Sequence, residues 1–272
     1  LPVAFISVFL GRAFGSGSRW VMGYDDQRAK GTKLVEGLLS IGITPSRIVR
    51  TDLDTTKEPL ATWVITENSR GHLTQMPADL GDMGVTVTKR PNQDHHRHYQ
   101  AWSDTGLAYE IIAMDPGQEL TGTIVEMWNN LRLRGISRWV SPSLKAQAER
   151  SSFTTLQALR AGVFTQEPIG IASASDSIIM VMSALPPTTP LTELGENASD
   201  EILDRAWEQL HFAHSRGISH RALTPEAVVV DESSDVWLLD WDEGEVATTE
   251  LNQSIDIAQM LVLTALAVGP ER

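Results

Sequence analysis

The sequence predicts an α+β fold in two lobes of different class, one β-rich with a single long helix and one mainly helical with a short hairpin. Three observations carry this. Between residues 60 and 115, "ATWVITENSRGHL", "GVTVTKR" and "GLAYEIIAMD" are short runs rich in β-branched and aromatic residues. Gly, Asn, Asp and Pro separate them, as antiparallel strands require. "SLKAQAERSSFTTLQALRAG" is long and helical, closed by Gly162. "LPPTTPLTEL" then forms an extended link, because proline fixes φ and lacks an N–H donor.

In chain order, residues 1–42 read as helical. "DDQRAKGTKLVEGLLSIGI" spaces Leu34, Val35, Leu38 and Leu39 for one helix face and stops near Gly42. "TPSRIVRTDLDTTKEP" is a polar connection around a short extended piece, and "IVEMWNNLRLRG" returns to a helical pattern. After the long helix, "EPIGIAS" and "SIIMVMSAL" read as strands. Beyond the link, "SDEILDRAWEQLHFAHSRG" begins with a Ser–Asp cap. "AVVVD" and "VWLLD" form a hairpin before a last apolar helix, "SIDIAQMLVLTALAVG". This divides the chain into an N-terminal helical segment (1–50), a small β-rich lobe with the long helix (51–184) and a helical large lobe (185–272).

At 272 residues the chain can bury a substantial core. Its net charge of −13 argues against general nucleic-acid binding, which needs a basic surface. The absence of cysteine excludes disulfides, thiolate zinc sites and a cysteine nucleophile, and is compatible with a reducing cytoplasm. No unbroken run of about 18 apolar residues qualifies as a membrane span. The opening "LPVAFISVFLGRAF" has two readings: the tail of a membrane helix followed by Arg12 and Arg19 on the cytoplasmic side, or a buried helix. A signal peptide fits less well, since no charged region precedes the apolar stretch.

The segment "LHFAHSRGISHRALTPEAVVVD" followed by "VWLLDWDEGE" resembles the catalytic core of the protein-kinase-like fold. His214 and Gly217 match the approach, and His220, Arg221, Leu223 and Pro225 match the loop. Asp240–Trp241 stands where Asp-Phe of the metal-binding motif would fall, eighteen residues past Ala222. The match covers about residues 150–260, and the strand region only by pattern. The resemblance implies a two-lobed kinase-like fold and a site for ATP and Mg.

The same comparison implies a degenerate site. Ala222 stands where the loop aspartate would take the substrate proton, Thr224 where many protein kinases carry lysine, and Ala227 where an asparagine would hold metal. Asp240 remains for nucleotide-bound metal, with Asp242 as a second candidate ligand and Glu243 nearby; a solvated acidic turn is the alternative. Glu149 is the candidate for the helix glutamate of the lysine–glutamate pair, or else a surface carboxylate. "AYEIIAMD" offers no lysine, Lys89 is far upstream, and Lys145 is one turn before Glu149 on the same helix. "GRAFGSGS" (11–18) lies in the wrong region and lacks a P-loop lysine.

Asp256 resembles the buried acid that braces the catalytic-loop backbone. The fifteen residues between Asp240 and Asp256 leave little platform for a peptide and fit the small-molecule and atypical branches. The chain stops at "AVGPER", where a full large lobe would continue, so an incomplete large lobe is expected. The apolar opening and the basic segment after it are also similar to the kinase-like cytosolic domain of actinobacterial flippase-like, lysylphosphatidylglycerol-synthase-like membrane proteins. That likeness implies the cytoplasmic face of a membrane, with the protein's own transmembrane domain or another protein as partner.

Other residue clusters read as structural. His95, His96 and His98 form a surface cluster in a polar loop rather than a metal site. His211 and His214 are spaced for metal, but the resemblance gives His214 a packing role. Ser219 and His220 are adjacent in an extended loop, so their side chains diverge and do not form a nucleophile–base pair. The tryptophans share no period and are expected to pack. The leading expectation is a pseudokinase-like regulatory or binding module. The rival is an active atypical phosphotransferase on a small molecule or lipid; a purely structural domain is a third reading.

Overall fold

A computed structural model describes residues 29, 31–51, 62–67, 73–77, 96–115 and 144–269. The opening apolar stretch, "GRAFGSGS", Lys89, His95 and the patterns "GVTVTKR" and "IVEMWNNLRLRG" lie outside the described residues. The fold is mixed α+β. Its described helices are α1 (Thr32–Ser40), α2 (Leu144–Ala161), α3 (Asp200–Ser215) and α4 (Glu250–Val268).

The main sheet has seven antiparallel strands in the order β3-β2-β1-β4-β5-β7-β6. They are β1 (Pro45–Arg50), β2 (Thr62–Glu67), β3 (Leu73–Pro77), β4 (Arg97–Ser103), β5 (Ala108–Met114), β6 (Pro168–Ala174) and β7 (Ser177–Ser183). β1 is the extended piece around "SRIVR"; it pairs with β2 and β4, so it belongs to this sheet. Helix α2 lies in the chain between β5 and β6, and β7 then returns beside β5.

Both faces of the sheet centre are covered, which is why "SIIMVMS" reads as a continuous apolar run. On one face Ile111, Ala113, Ile179 and Val181 pack with Leu34, Val35 and Leu38 of α1. Gly37 permits this approach, since a Cβ there would lie 2.7 Å from Ile179 Cδ1. On the other face Ile112, Met114, Met180 and Met182 pack with Ala148 of α2.

A buried polar cluster fastens the chain entry to this sheet. Arg97 donates to both Asp115 oxygens (2.6 and 2.8 Å), to Ala29 O (2.7 Å) and to Tyr99 Oη (2.7 Å). Ser177 Oγ donates to Asp115 (2.6 Å) and accepts from Ala29 N (2.9 Å). Burial opposes the Arg97 charge, but Asp115 and Tyr99 more than offset it and hold its pKa above the ordinary value. The histidines beside Arg97 depart from the surface-loop expectation. His98 is a buried residue of β4, 3.8 Å from Glu110 Oε1, because β4 lies inside a sheet covered on both faces and Arg97, His98 and Tyr99 are buried in succession.

The proline-rich link is ordered by pairing. β8 (Thr188–Pro190) joins β10 (Val228–Asp231) and β11 (Val236–Leu238) in the order β11-β10-β8, which puts Pro190 on an edge strand where its missing donor is tolerated. A one-turn 3₁₀ helix, Leu191–Glu193, follows instead of further extended chain. α3 is capped by Ser199, which accepts from Ile202 N, and α4 by Thr249, which accepts from Asn252 N. Leu210, Ile218, Leu238, Trp241, Met260 and Leu263 form the core between α3, the hairpin and α4.

Among the described residues, α4 alone is long and apolar enough to cross a membrane, with mean hydropathy 1.4 and 22% of that window buried. It passes although it is not an unbroken apolar run, because Asp256 and two glutamines interrupt it. The buried side of α4 carries Asp256, Met260, Leu263 and Ala267, while Leu251, Leu261, Val262 and Leu266 are exposed.

Candidate functional site

The loop from Ile218 to Ala227 hangs between α3 and the β10–β11 hairpin, and its shape is set by α4. Short strands β9 (Ile218–Ser219) and β12 (Glu245–Val246) pair at its start. Asp256, fully buried, accepts from His220 N (2.7 Å), Arg221 N (2.6 Å) and His214 Nε2 (3.0 Å). Gln259, one turn further along α4, accepts from Leu223 N (3.0 Å) and donates to Arg221 O (3.3 Å). Together they hold Arg221 at φ 69°, a left-handed conformation unusual for a side-chain-bearing residue. The sequence pointed to Asp256. Gln259 was missed, and its only signal was a polar residue one turn away in an apolar helix.

His220 ties the loop to the hairpin. Its Nε2 donates to Leu239 O at 2.6 Å, since a carbonyl can only accept. Nδ1 is buried without a partner, and the ring lies 4.6 Å from the Trp241 ring. Burial lowers the His220 pKa, more than the Leu239 carbonyl and the nearby Asp256 and Asp242 raise it, so the imidazole is held neutral. Ser219 instead shares a hydrogen bond with Thr248 Oγ1 (2.7 Å), so Ser219 and His220 do not work as a pair.

At the loop positions that the kinase-like resemblance singles out stand Ala222, Thr224 and Ala227. Ala222 is half-buried and its methyl group cannot accept a proton. Thr224 uses its carbonyl to accept from Ala227 N in a tight turn. Ala227 is fully buried, and its carbonyl accepts from Leu239 N (2.8 Å), so that position is core. Asp240 is exposed at φ 61°, ψ 60°, at the entry of a 3₁₀ turn, Trp241–Glu243. Asp242 in that turn accepts from Ser151 Oγ of α2 at 2.6 Å. Gly244 O accepts from Arg150 Nη2 (3.3 Å), and a Cβ on Gly244 would lie 2.7 Å from Thr154 Cγ2.

Glu149 points away from this junction. Its side chain is 56% exposed and meets Lys145 at 3.7 Å across one helical turn, an ordinary surface pair. Of its two sequence readings, this geometry is that of the surface carboxylate. The residues α2 sends to the acidic turn are Arg150 and Ser151. Their signal was present in "ERSSFTT": Ser151, Ser152, Thr154 and Thr155 are buried at helical spacing. Opposite α2, β5 offers Ile112 and Met114 rather than a cation. Glu110 on that strand accepts from Gln166 Nε2 (2.6 Å), which also donates to Ser183 O (2.9 Å).

The histidines do not converge either. His214 is turned to Asp256, whereas His211 is exposed in a shallow groove with Glu201, Asp204, Trp207 and Glu208. Among the described residues, no group of three or more His, Cys, Asp or Glu side chains is arranged to hold a metal ion. The chain is thus an α+β protein whose braced loop carries alanine at positions 222 and 227 and turns His220 inward to Leu239 O. No family model matches it, and no curated protein does.

Proposed function

We propose that the chain is a catalytically degenerate, kinase-like module that binds or regulates rather than transfers phosphate. The observation that carries this is the loop itself. Asp256 grips the backbone at His220 and Arg221, while the next position is Ala222. The loop is held in a defined shape, and at the position where a kinase-like loop would carry its base it offers a methyl group. Element order supports the same reading. Among the described residues, an antiparallel sheet with α2 between β5 and β6 is followed by a paired link, a helix, the loop, a hairpin and a helix carrying the bracing acid. In this reading the sheet with α1 and α2 is the small lobe, and α3, the hairpin and α4 belong to the large one. The apolar opening and the arginines after it support a reading of the module as lying on the cytoplasmic face of a membrane, beside its own transmembrane domain or a protein partner.

One observation favours the rival phosphotransferase: Asp240 is exposed in an αL conformation at the mouth of the turn. Thermal-shift titration with ATP and Mg, followed by a transfer assay on small-molecule and lipid acceptors, separates the two. The degenerate module shows no turnover. Turnover that disappears in Asp240→Ala would overturn the proposal in favour of the phosphotransferase.

A further inference from the structure

A kinase-like site implies Mg²⁺ held by protein carboxylates and nucleotide phosphates, and of the residues at those positions Ala227 has no side-chain ligand and Asp242 already bonds to α2. Magnesium demands near-ideal octahedral geometry, with one or two free carboxylates besides phosphate oxygens. Ala227 is buried and has no ligand atom. Asp242, the second candidate carboxylate, already accepts from Ser151 Oγ at 2.6 Å, and Ser151 is only 2% exposed. That leaves Asp240.

We infer that Asp242 is a latch between α2 and the acidic turn, holding the helix in place without nucleotide or cation. This rests on the kinase-like reading only for the expectation of a metal. Three contacts at one junction make the latch. Ser151 donates to Asp242, Arg150 donates to Gly244 O, and the missing side chain of Gly244 lets the turn sit against Thr154. A lysine–glutamate pair has no role here, since Glu149 faces solvent and β5 presents Ile112 and Met114. The outer side of α2, where Phe153 and Leu156 are exposed, is therefore held in one position whether or not a ligand is present. Asp242 is a positioning residue, acting through the helix.

A latch and a metal ligand respond differently to a conservative change. Asp242→Asn keeps an oxygen that accepts from Ser151 but removes the charge a cation needs; Asp242→Ala removes both. Hydrogen exchange of the α2 amides, measured on the full chain without nucleotide and with or without Mg²⁺, reads the difference. The expected result is that Asp242→Ala and Ser151→Ala each speed α2 exchange about tenfold, as for loss of one charge-assisted hydrogen bond. The double variant should be no worse than either single one. Asp242→Asn should stay within about threefold of the parent, and Mg²⁺ should change none of these rates. The latch is overturned if Asp242→Asn loosens α2 as much as Asp242→Ala, or if Mg²⁺ protects α2 in the parent but not in Asp242→Asn. Both readouts are taken without ATP, so they stand apart from any failure of the transfer assay that tests the proposed function.

Discussion

Two carboxylates on two helices show how this molecule divides its polar groups. Asp256 on α4 is fully buried and takes three hydrogen bonds, two of them from the loop backbone. Glu149 on α2 is more than half exposed and, among the described residues, pairs with Lys145 on its own helix. In the kinase-like reading, the first holds a loop in shape and the second would orient phosphate through a lysine. Here the shape-holding acid is embedded in its network and the phosphate-orienting one is loose.

The sharpest way to break that comparison is Asp256→Ala. It strands the His220 and Arg221 amides and removes the partner of His214, so unfolding in urea should show a loss of about 3–5 kcal/mol. A loss below about 1 kcal/mol would mean the brace is dispensable.

A pH series tests the histidine in the same loop. Burial holds His220 below its ordinary value of 6.5, so the unfolded chain takes up a proton that the folded chain refuses. This contribution is fully present above pH 6.5 and is lost as pH falls below it, with a slope of up to about 1.4 kcal/mol per unit. His220→Gln keeps a donor for Leu239 O, and in urea unfolding at several pH values its acid slope should be shallower. An unchanged slope would assign the pH dependence elsewhere.

The smallest effect is expected at Glu149. Replacing it with alanine should shift unfolding by no more than about 0.5 kcal/mol, the scale of an exposed i,i+4 pair. A loss several times larger would return Glu149 to the junction and undo the contrast with Asp256.

Much of the fold was legible in order and type. The long helix closing at Gly162, the strands of "EPIGIAS" and "SIIMVMSAL", the Ser199 cap and the hairpin all stand where local pattern put them. Those signals are local: period, cap and turn chemistry act within a few residues. The link misled in part, because Pro190 enters an edge strand and a 3₁₀ turn follows. His98 misled more, since a histidine-rich run looks solvated until it is placed in a strand whose sheet is covered on both faces.

The sequence by itself determined the class of elements, the bare loop at Ala222 and Ala227, and Asp256 as the acid to watch. Each of these follows from residue type at a position. Tertiary structure alone decided direction: that Glu149 faces water while Ser151, two positions on, meets Asp242. One residue turns about 100° around a helix axis, so neighbours in sequence face different surroundings, and only the packed partner tells which of them is used.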